Sequence, residues 1–415
     1  MSTTARRWPI VARLGVAQTL AWASSYYLPA LLAAPMAHDL GVATTTVFAA
    51  FSVAMLLAAA VGPAAGRAID RLGGRPVLIG SNLVFAAGLG ALAVAQGPWT
   101  LFAAWLLIGA AMGSGLYEAG FATLVRLWGH GARGGITGIT LIAGFASTVG
   151  WPLSAWLEAE FGWRVACAAW ALLHLGLGLP LNASLPKAAP LPSASSATAS
   201  AEDTTDTGRT APVHTSDAPD FATPPPLAHP LRAGLLLSFV FAATWFVSTA
   251  MASHLPAVLQ LAGAGAAAAV AVGSLIGPAQ VAGRLMEAGW LRRLHPLLSA
   301  RLAALGHPAG VLVLVGLGPV AAPAFAILHG LGNGIMTIAK GTLPLAIFGP
   351  RGYGQMQGLL MAPTRLAQAA SPLLFGAALE GWGLGAMALS SGLCLLAFGA
   401  LIVLPRASGM TLRQD

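Results

Sequence analysis

The chain has 415 residues, of which 57% are apolar and 8% are charged, whereas soluble globular domains carry roughly 25% charged residues. This composition excludes a soluble globular protein and predicts one that crosses a membrane many times. The formal net charge of +8 does not require a nucleic-acid partner, because positive residues gathered in the cytoplasmic loops of a membrane protein explain it.

Twelve apolar runs follow one another along the chain, and each comes close to the ~20 residues that a helix needs to cross the hydrocarbon core. Continuous Ala, Leu, Gly and Val favour helices over the alternating pattern of a membrane β-barrel. We therefore expect an all-α polytopic fold with twelve transmembrane helices. The runs lie near residues 10–35, 45–65, 77–96, 100–127, 134–157, 163–184, 232–257, 264–284, 297–316, 319–347, 353–379 and 383–404.

The basic residues between these runs are unevenly distributed. If the N-terminus is inside, the loop arginines gather on the inner side and only Arg164 falls on the outer side. Membrane proteins keep their positively charged loops in the cytoplasm. We therefore expect both termini to be cytoplasmic.

A polar segment divides the chain in two. Residues 186–230 are rich in Ser, Thr, Ala and Pro, a composition typical of a disordered cytoplasmic linker. Six runs lie in the N-terminal unit, 1–185, and six in the C-terminal unit, 231–415. The units share sequence, because GPAAGRAIDR at 62–71 is echoed by GPAQVAGRLME at 277–287. Two parallel six-helix units are typical of one group of secondary transporters.

The connection after the second run carries the most specific motif. Its sequence GRAIDRLGGR resembles the loop signature of the major facilitator superfamily, which lies between the second and third helices. The resemblance implies two six-helix bundles that alternate access to a central site for a small-molecule substrate. It also implies a lipid bilayer, most simply the bacterial inner membrane, no cofactor, and a monomer, since one chain contains a complete pathway. The matching positions are Gly66, Asp70, Arg71, Gly73 and Arg75.

This loop is a candidate conformational latch. Asp70, at a helix end, can pair with a loop arginine or with the N-terminus of a neighbouring helix, and such contacts can form in one access state and break in the other. The alternative is that the charges anchor the loop at the lipid headgroups. The second copy keeps Gly283 and Arg284 but has Glu287 in place of the aspartate, so we expect it to latch less strongly.

Three charged residues lie well inside predicted helices, where ionisable groups are costly and mark functional sites. Glu118 lies in the fourth run, Lys340 in the tenth and Arg365 in the eleventh. Burial disfavours the charged form of a carboxyl, so Glu118 is a candidate proton carrier; the alternative is a static ion pair with Lys340 or Arg365. The two buried cations and the one buried acid together carry a net positive charge, which an anionic substrate could neutralise. Arg365 is the better candidate, because its planar fork matches a carboxylate, whereas Lys340 could extend to the cytoplasmic side.

Aromatic and polar residues of runs one, four, seven and ten complete the candidate substrate site. In the fold that the sequence resembles, these four helices line the central pathway, so side chains on them are expected to face it. The alternative is an interfacial aromatic belt and hydrogen bonds between helices. The candidates are Tyr26, Tyr27, Tyr117, Trp245, His254, His329 and Asn333.

The sequence contains no P-loop, no paired carboxylates with a supporting histidine and no metal-ligand spacing, and Cys167 and Cys394 lie inside apolar runs. We therefore expect a transporter and not an enzyme. The expected cargo is a small organic anion such as a monocarboxylate, moved together with protons through Glu118. Proton-coupled export of drugs or other amphipathic compounds is the alternative, because the walls are apolar and rich in Met. A non-transporting membrane sensor is a third hypothesis.

Overall fold

The computed structural model describes residues 3–188, 228–291 and 294–404, and the regular elements in these ranges are all helices. The all-α prediction is therefore confirmed. The segment 189–227, which is most of the predicted linker, lies outside the described residues.

The helices follow the chain in two series, one on each side of that segment. In the first half they are α1 Thr3–Ala23, α2 Pro29–Asp39, α3 Thr44–Leu72, α4 Gly74–Ala93, α5 Pro98–Gly115, α6 Tyr117–Trp128, α7 Arg133–Ala143, α8 Ala146–Leu173 and α9 Leu179–Ala183. In the second half they are α10 Pro230–Leu261, α11 Ala266–Gly273, α12 Ile276–Ala288, α13 Pro296–Leu317, α14 Ala322–Phe348, α15 Tyr353–Trp382 and α16 Ala386–Val403.

Eight helical stretches in the described ranges are long and apolar enough to cross a membrane. Three of them, His130–Ala183, Pro296–Phe348 and Tyr353–Val403, contain 51 to 54 residues, about twice the length of one crossing. Each of these three includes two of the predicted runs. The chain is thus a multi-pass membrane protein, whereas the count of twelve crossings and the cytoplasmic position of the termini remain predictions.

Four runs that the sequence predicts as continuous helices are broken in the structure. The run 10–35 is divided between α1 and α2, and the run 100–127 between α5 and α6, where Leu116 is extended. The run 134–157 is divided between α7 and α8, and the run 264–284 between α11 and α12. Pro29 suits the first turn of α2, because it has no N–H to leave unpaired there. At the second break, Gln18 Nε2 donates to the Gly115 carbonyl at 2.7 Å. This bond satisfies a polar group near the break inside an apolar environment.

The buried side chains group largely by half of the chain. The largest apolar cluster consists of residues 11–185 joined by Leu345 and Tyr353, and two further clusters consist of residues 233–404. The predicted unit boundaries at 185 and 231 remain predictions, because the intervening segment is largely outside the described residues.

Helix α3 holds the two halves together on the side of the 66–75 loop. Gly66 packs against the Gly354 backbone of α15, and a Cβ atom at Gly358 would lie 2.6 Å from Gly62 and Pro63. These positions have no room for a side chain, so small residues are required for the close approach of the two helices.

Candidate functional site

A carboxylate shared by two cations lies between the two halves. Glu118 Oε1 accepts a hydrogen bond from Lys340 Nζ at 2.9 Å, and Glu118 Oε2 accepts one from Arg365 Nη2 at 2.8 Å. The three side chains are 12%, 4% and 7% exposed, so both ion pairs are shielded from solvent. We call these three residues the triad; one anion and two cations leave it with an excess of positive charge.

Local structure brings Glu118 and Lys340 to the same level of the helix bundle. Glu118 lies in the first turn of α6, directly after the break that ends α5, and a helix N-terminus favours negative charge. Lys340 lies in α14 beside Gly341, where a Cβ atom would meet the Phe121 ring at 2.8 Å. The missing side chain of Gly341 lets α14 approach α6, which brings Lys340 within reach of Glu118.

Aromatic rings surround the Lys340 ammonium. Its nitrogen lies 4.6 Å from the Trp245 ring centroid and 5.7 Å from that of Tyr117, both within the range of a cation–π contact. The Trp22 ring lies 4.9 Å from Tyr117 and 5.1 Å from Tyr26. The rings therefore form a continuous aromatic wall from Lys340 to α1.

A small pocket lies beside the triad and is lined by both halves. Its free volume of about 10 Å³ has room for about one water molecule in this conformation. Besides the triad and the aromatic wall, Met55, Leu116 and Met361 contribute apolar surface, and Thr364 and Gln368 contribute polar groups. The pocket thus combines excess positive charge with an apolar and aromatic lining.

Two chemical capacities follow from this arrangement. The positive excess can attract an anion, and the arginine fork can bind a carboxylate through two parallel hydrogen bonds. In addition, Glu118 belongs to the first half, while Lys340 and Arg365 belong to the second. Any motion that separates the halves at this depth breaks both ion pairs, and a buried charge without its partner is costly.

Six of the predicted substrate-site residues lie at or next to the pocket. Arg365, Lys340, Tyr26 and Trp245 line it. Tyr117 faces Lys340, and the Tyr27 ring lies 5.5 Å from that of Tyr26 in the aromatic wall.

The other three candidates make contacts elsewhere. His254 Nε2 lies 2.8 Å from a backbone carbonyl of α15, and His329 Nδ1 lies 3.1 Å from His307 Nδ1. On α14, Asn333 and His329 precede Lys340 by about 10 and 16 Å along the helix axis. They share a helix face with Lys340 but do not lie at the depth of the pocket.

Thr364 and Gln368 line the pocket but are not among the candidates drawn from the sequence. Together with Met361 and Arg365 they occupy positions i, i+3, i+4 and i+7 of α15, which is one face of a helix. Helical spacing from Arg365 is therefore the signal that identifies both residues. Met55 carries no comparable signal, because it is an apolar residue inside an apolar run.

The predicted latch connects α3 to the start of α15. Asp70 Oδ1 accepts a hydrogen bond from the Gly354 N–H at 2.9 Å, and Oδ2 accepts one from the Gln355 N–H at 2.8 Å. The sequence left two kinds of partner for Asp70, a loop arginine or a helix N-terminus. In the structure the Asp70 carboxylate binds the N-terminus of α15. In the same loop, Gly73 joins α3 to α4 with a φ of 82° and Arg71 is exposed.

The rest of the predicted latch set takes separate positions. Arg75 lies half-buried in the first turn of α4. In the second copy, Arg284 Nη1 donates to the Thr140 carbonyl of α7 at 3.2 Å, and Gly283 packs against the Leu331 backbone of α14.

Glu287 of the second copy also reaches across the halves. Its Oε1 accepts a hydrogen bond from Arg133 Nη2 at 3.2 Å, whereas Oε2 has no hydrogen-bond partner among the described residues. The second contact therefore uses one carboxylate oxygen where Asp70 uses two.

Known proteins resemble this chain in sequence. A family model described as the Major Facilitator Superfamily matches residues 14–339, which is most of the chain. The multidrug resistance proteins MdtH of Cronobacter sakazakii and Klebsiella pneumoniae are each 30% identical to it over 147 residues. That stretch covers 35% of this chain and 36% of each relative, so the chain matches about a third of their length.

Solved structures share the whole fold. The human organic anion transporter MFSD10 (TETRAN) has a TM-score of 0.69 and 19% identity, covering 97% of this chain and 100% of that chain. The fucose:proton symporter FucP of E. coli has a TM-score of 0.69 and 13% identity, covering 95% and 98%. The family model, the membrane-crossing helices and these neighbours show that the chain belongs to the Major Facilitator Superfamily and is a transporter, not an enzyme.

Proposed function

We propose that this protein is a proton-coupled secondary transporter of a small organic anion, working as a monomer by alternating access in the bacterial inner membrane. The observation that carries the proposal is the sharing of one carboxylate, Glu118, between Lys340 and Arg365 beside the pocket. A carboxylate cargo fits the positive excess of the triad. Because it is itself a carboxylate, it can bind Lys340 and Arg365 in place of Glu118. The aromatic wall can then pack against its apolar part.

Glu118 couples the cargo to a proton. In the present conformation two cations favour its ionised form. When the halves separate at this depth, Glu118 loses both partners while it remains in apolar surroundings, so it takes up a proton. Lys340 and Arg365 are then free for the anion. Proton and anion therefore enter the same conformational cycle.

Asp70 supports the alternating-access part of the proposal. Its bonds to the start of α15 stabilise the state in which α3 and α15 are packed together. Opening this side of the molecule requires those bonds to break, so the contact is suited to control the interconversion of two access states.

A thermal-shift assay on the detergent-purified protein tests the anion site, because a ligand that binds the folded state raises Tm. We expect pyruvate or propionate to stabilise the wild type and to have no effect on Arg365→Ala, which leaves Lys340 fully neutralised by Glu118. Arg365→Lys keeps the charge but loses the fork, so we expect weaker stabilisation. Arg351→Ala removes an exposed arginine outside the pocket and is the matched control. Equal stabilisation of Arg365→Ala and wild type would overturn the anion site.

Efflux of drugs or other amphipathic compounds is the second candidate function. It is favoured by the partial similarity to MdtH and by Met55, Met361 and the aromatic wall in the pocket. Stabilisation by lipophilic cationic drugs, with none by carboxylates, would support this function and would leave the triad as a structural contact. Binding of a carboxylate without any flux in vesicles would indicate a sensor.

A further inference from the structure

Three polar groups on the pocket lining lack a hydrogen-bond partner among the described residues. They are Trp22 Nε1, Trp245 Nε1 and Thr364 Oγ1, on α1, α10 and α15 respectively. Trp22 is 7% exposed and Thr364 is 2% exposed. A buried donor that makes no hydrogen bond destabilises the fold, so each such group is expected to meet a partner in the working protein.

Other buried groups of the same kind do find partners. The Trp163 indole N–H donates to Asp39 at 3.2 Å, and that of Trp170 donates to Ser154 at 3.0 Å. The indoles of Trp22, Trp245 and Trp105 differ from these two in having no partner among the described residues, and of the three only Trp105 lies outside the pocket lining.

Thr364 differs from other helical threonines for a reason that the structure gives. Thr337 and Thr342 each donate to the carbonyl four residues earlier in α14. For Thr364 that carbonyl belongs to Leu360, which instead accepts a hydrogen bond from Ser238 Oγ at 3.0 Å. Its usual acceptor is thus already engaged, and the hydroxyl of this pocket-lining residue has no partner among the described residues.

The chemistry of these groups defines what would satisfy them. An indole N–H donates and cannot accept, and the Thr364 hydroxyl can donate as well. All three lie on the same pocket as Lys340 and Arg365, which take the negative charge of the cargo. A saturated alkyl carboxylate offers the neutral donors no acceptor beyond its two carboxylate oxygens, which Lys340 and Arg365 hold.

We propose that the cargo is an oxygen-substituted carboxylate, an oxo or hydroxy acid, whose additional oxygen accepts hydrogen bonds from Trp22, Trp245 or Thr364. This inference rests on the proposed anion transport and makes it more specific. The carboxylate binds Arg365 and Lys340, and the second oxygen binds the neutral donors. A site built to hydrogen-bond such an oxygen discriminates against the analogue that lacks it, because its own donors are then left buried and unpaired.

Two matched ligand pairs test the inference: pyruvate against propionate, and phenylpyruvate against 3-phenylpropionate. The members of each pair differ at one position, where a carbonyl replaces a methylene. We expect calorimetric titration of the purified protein to give a Kd at least about tenfold lower for the oxo acid in one pair or both. Trp22→Phe, Trp245→Phe and Thr364→Val each remove a donor and keep most of the shape, and we expect at least one of them to reduce the ratio to about twofold.

Trp105→Phe is the matched control. The buried Trp105 indole N–H also lacks a partner among the residues that the structure describes, but this residue does not line the pocket. We expect its removal to leave the ratio unchanged. Equal Kd values within each pair in the wild type, or an undiminished ratio in all three pocket variants, would overturn the inference while leaving anion transport intact. No binding of any of the four carboxylates would overturn the inference and the proposed function together.

Discussion

At the residue scale, the charge of Glu118 controls the affinity of the proposed site for an anionic cargo. Its two oxygens each accept a hydrogen bond from a cation of the other half, at 2.9 and 2.8 Å. While Glu118 is ionised it competes with an anionic cargo for Lys340 and Arg365. Protonation of Glu118 ends that competition, so anion affinity is expected to rise as the pH falls.

Glu118→Gln tests this dependence directly. The glutamine has nearly the same shape, but it leaves both cations without a negative partner. We expect it to bind small carboxylates at least about tenfold more tightly than wild type at neutral pH, and with little change across the pH range in which the wild type gains affinity. Calorimetric titration at several pH values measures both effects. A pH profile parallel to that of the wild type would contradict the role of Glu118.

The sequence indicated the triad in part. Charged residues within apolar runs identified Glu118, Lys340 and Arg365, because such residues are rare inside a membrane. The sequence could not decide whether they pair, since they lie 222 and 247 residues apart. Thr364 and Gln368 were missed for another reason. They are ordinary polar residues, and only their helical spacing from Arg365 marks them as members of the pocket-lining face of α15.

At the element scale, the break between α5 and α6 shows what a local pattern cannot predict. The run 100–127 is mostly apolar and contains no proline near Leu116, so it predicts one helix. Gln18, from α1, donates to the Gly115 carbonyl next to the extended residue. A contact from another helix thus satisfies a polar group at this break, whereas the break near Pro29 has a local signal in the sequence.

The packing of α3 on α15 gives a prediction for Gly66. A methyl group at this position would overlap the Gly354 backbone, so Gly66→Ala is expected to push the two helices apart. We expect the variant to shift the protein toward the state in which this side is open, measured as lengthening of a spin-label distance between the ends of α3 and α15. Gly80→Ala in α4, where a Cβ atom would meet nothing within 4 Å, is the control and is expected to leave the distance unchanged.

Asp70 gives a second prediction at this scale. Asparagine removes the charge that favours the helix N-terminus and can accept with one oxygen only, so Asp70→Asn loses about 1 kcal/mol of the contact. We expect slower transport with nearly unchanged cargo Kd. Asp39→Asn is the control, because Asp39 forms an exposed ion pair with Arg164 inside one half, and such pairs contribute little. Wild-type flux in Asp70→Asn would refute the latch.

At the scale of the whole molecule, the triad and the α3 to α15 packing lie on the boundary between the halves. Parallel repeats indicated this boundary from sequence, because GPAAGRAIDR and GPAQVAGRLME occur at matching places. The departure of the second copy from the motif predicted a weaker contact there, but it did not indicate the partners of the two carboxylates. Asp70 engages a helix terminus with both oxygens, and Glu287 engages a single arginine with one. That difference depends on partner helices whose positions follow from the assembled fold.

The most direct test of proton-coupled anion transport is a flux measurement in liposomes that contain the purified protein and a trapped pH indicator. With an inward proton gradient, external pyruvate is expected to acidify the lumen faster than in protein-free liposomes, and Glu118→Gln is expected to abolish the difference. Acidification equal to that of protein-free liposomes for every carboxylate tested, together with proton movement driven by a lipophilic cationic drug, would contradict the account and favour drug efflux.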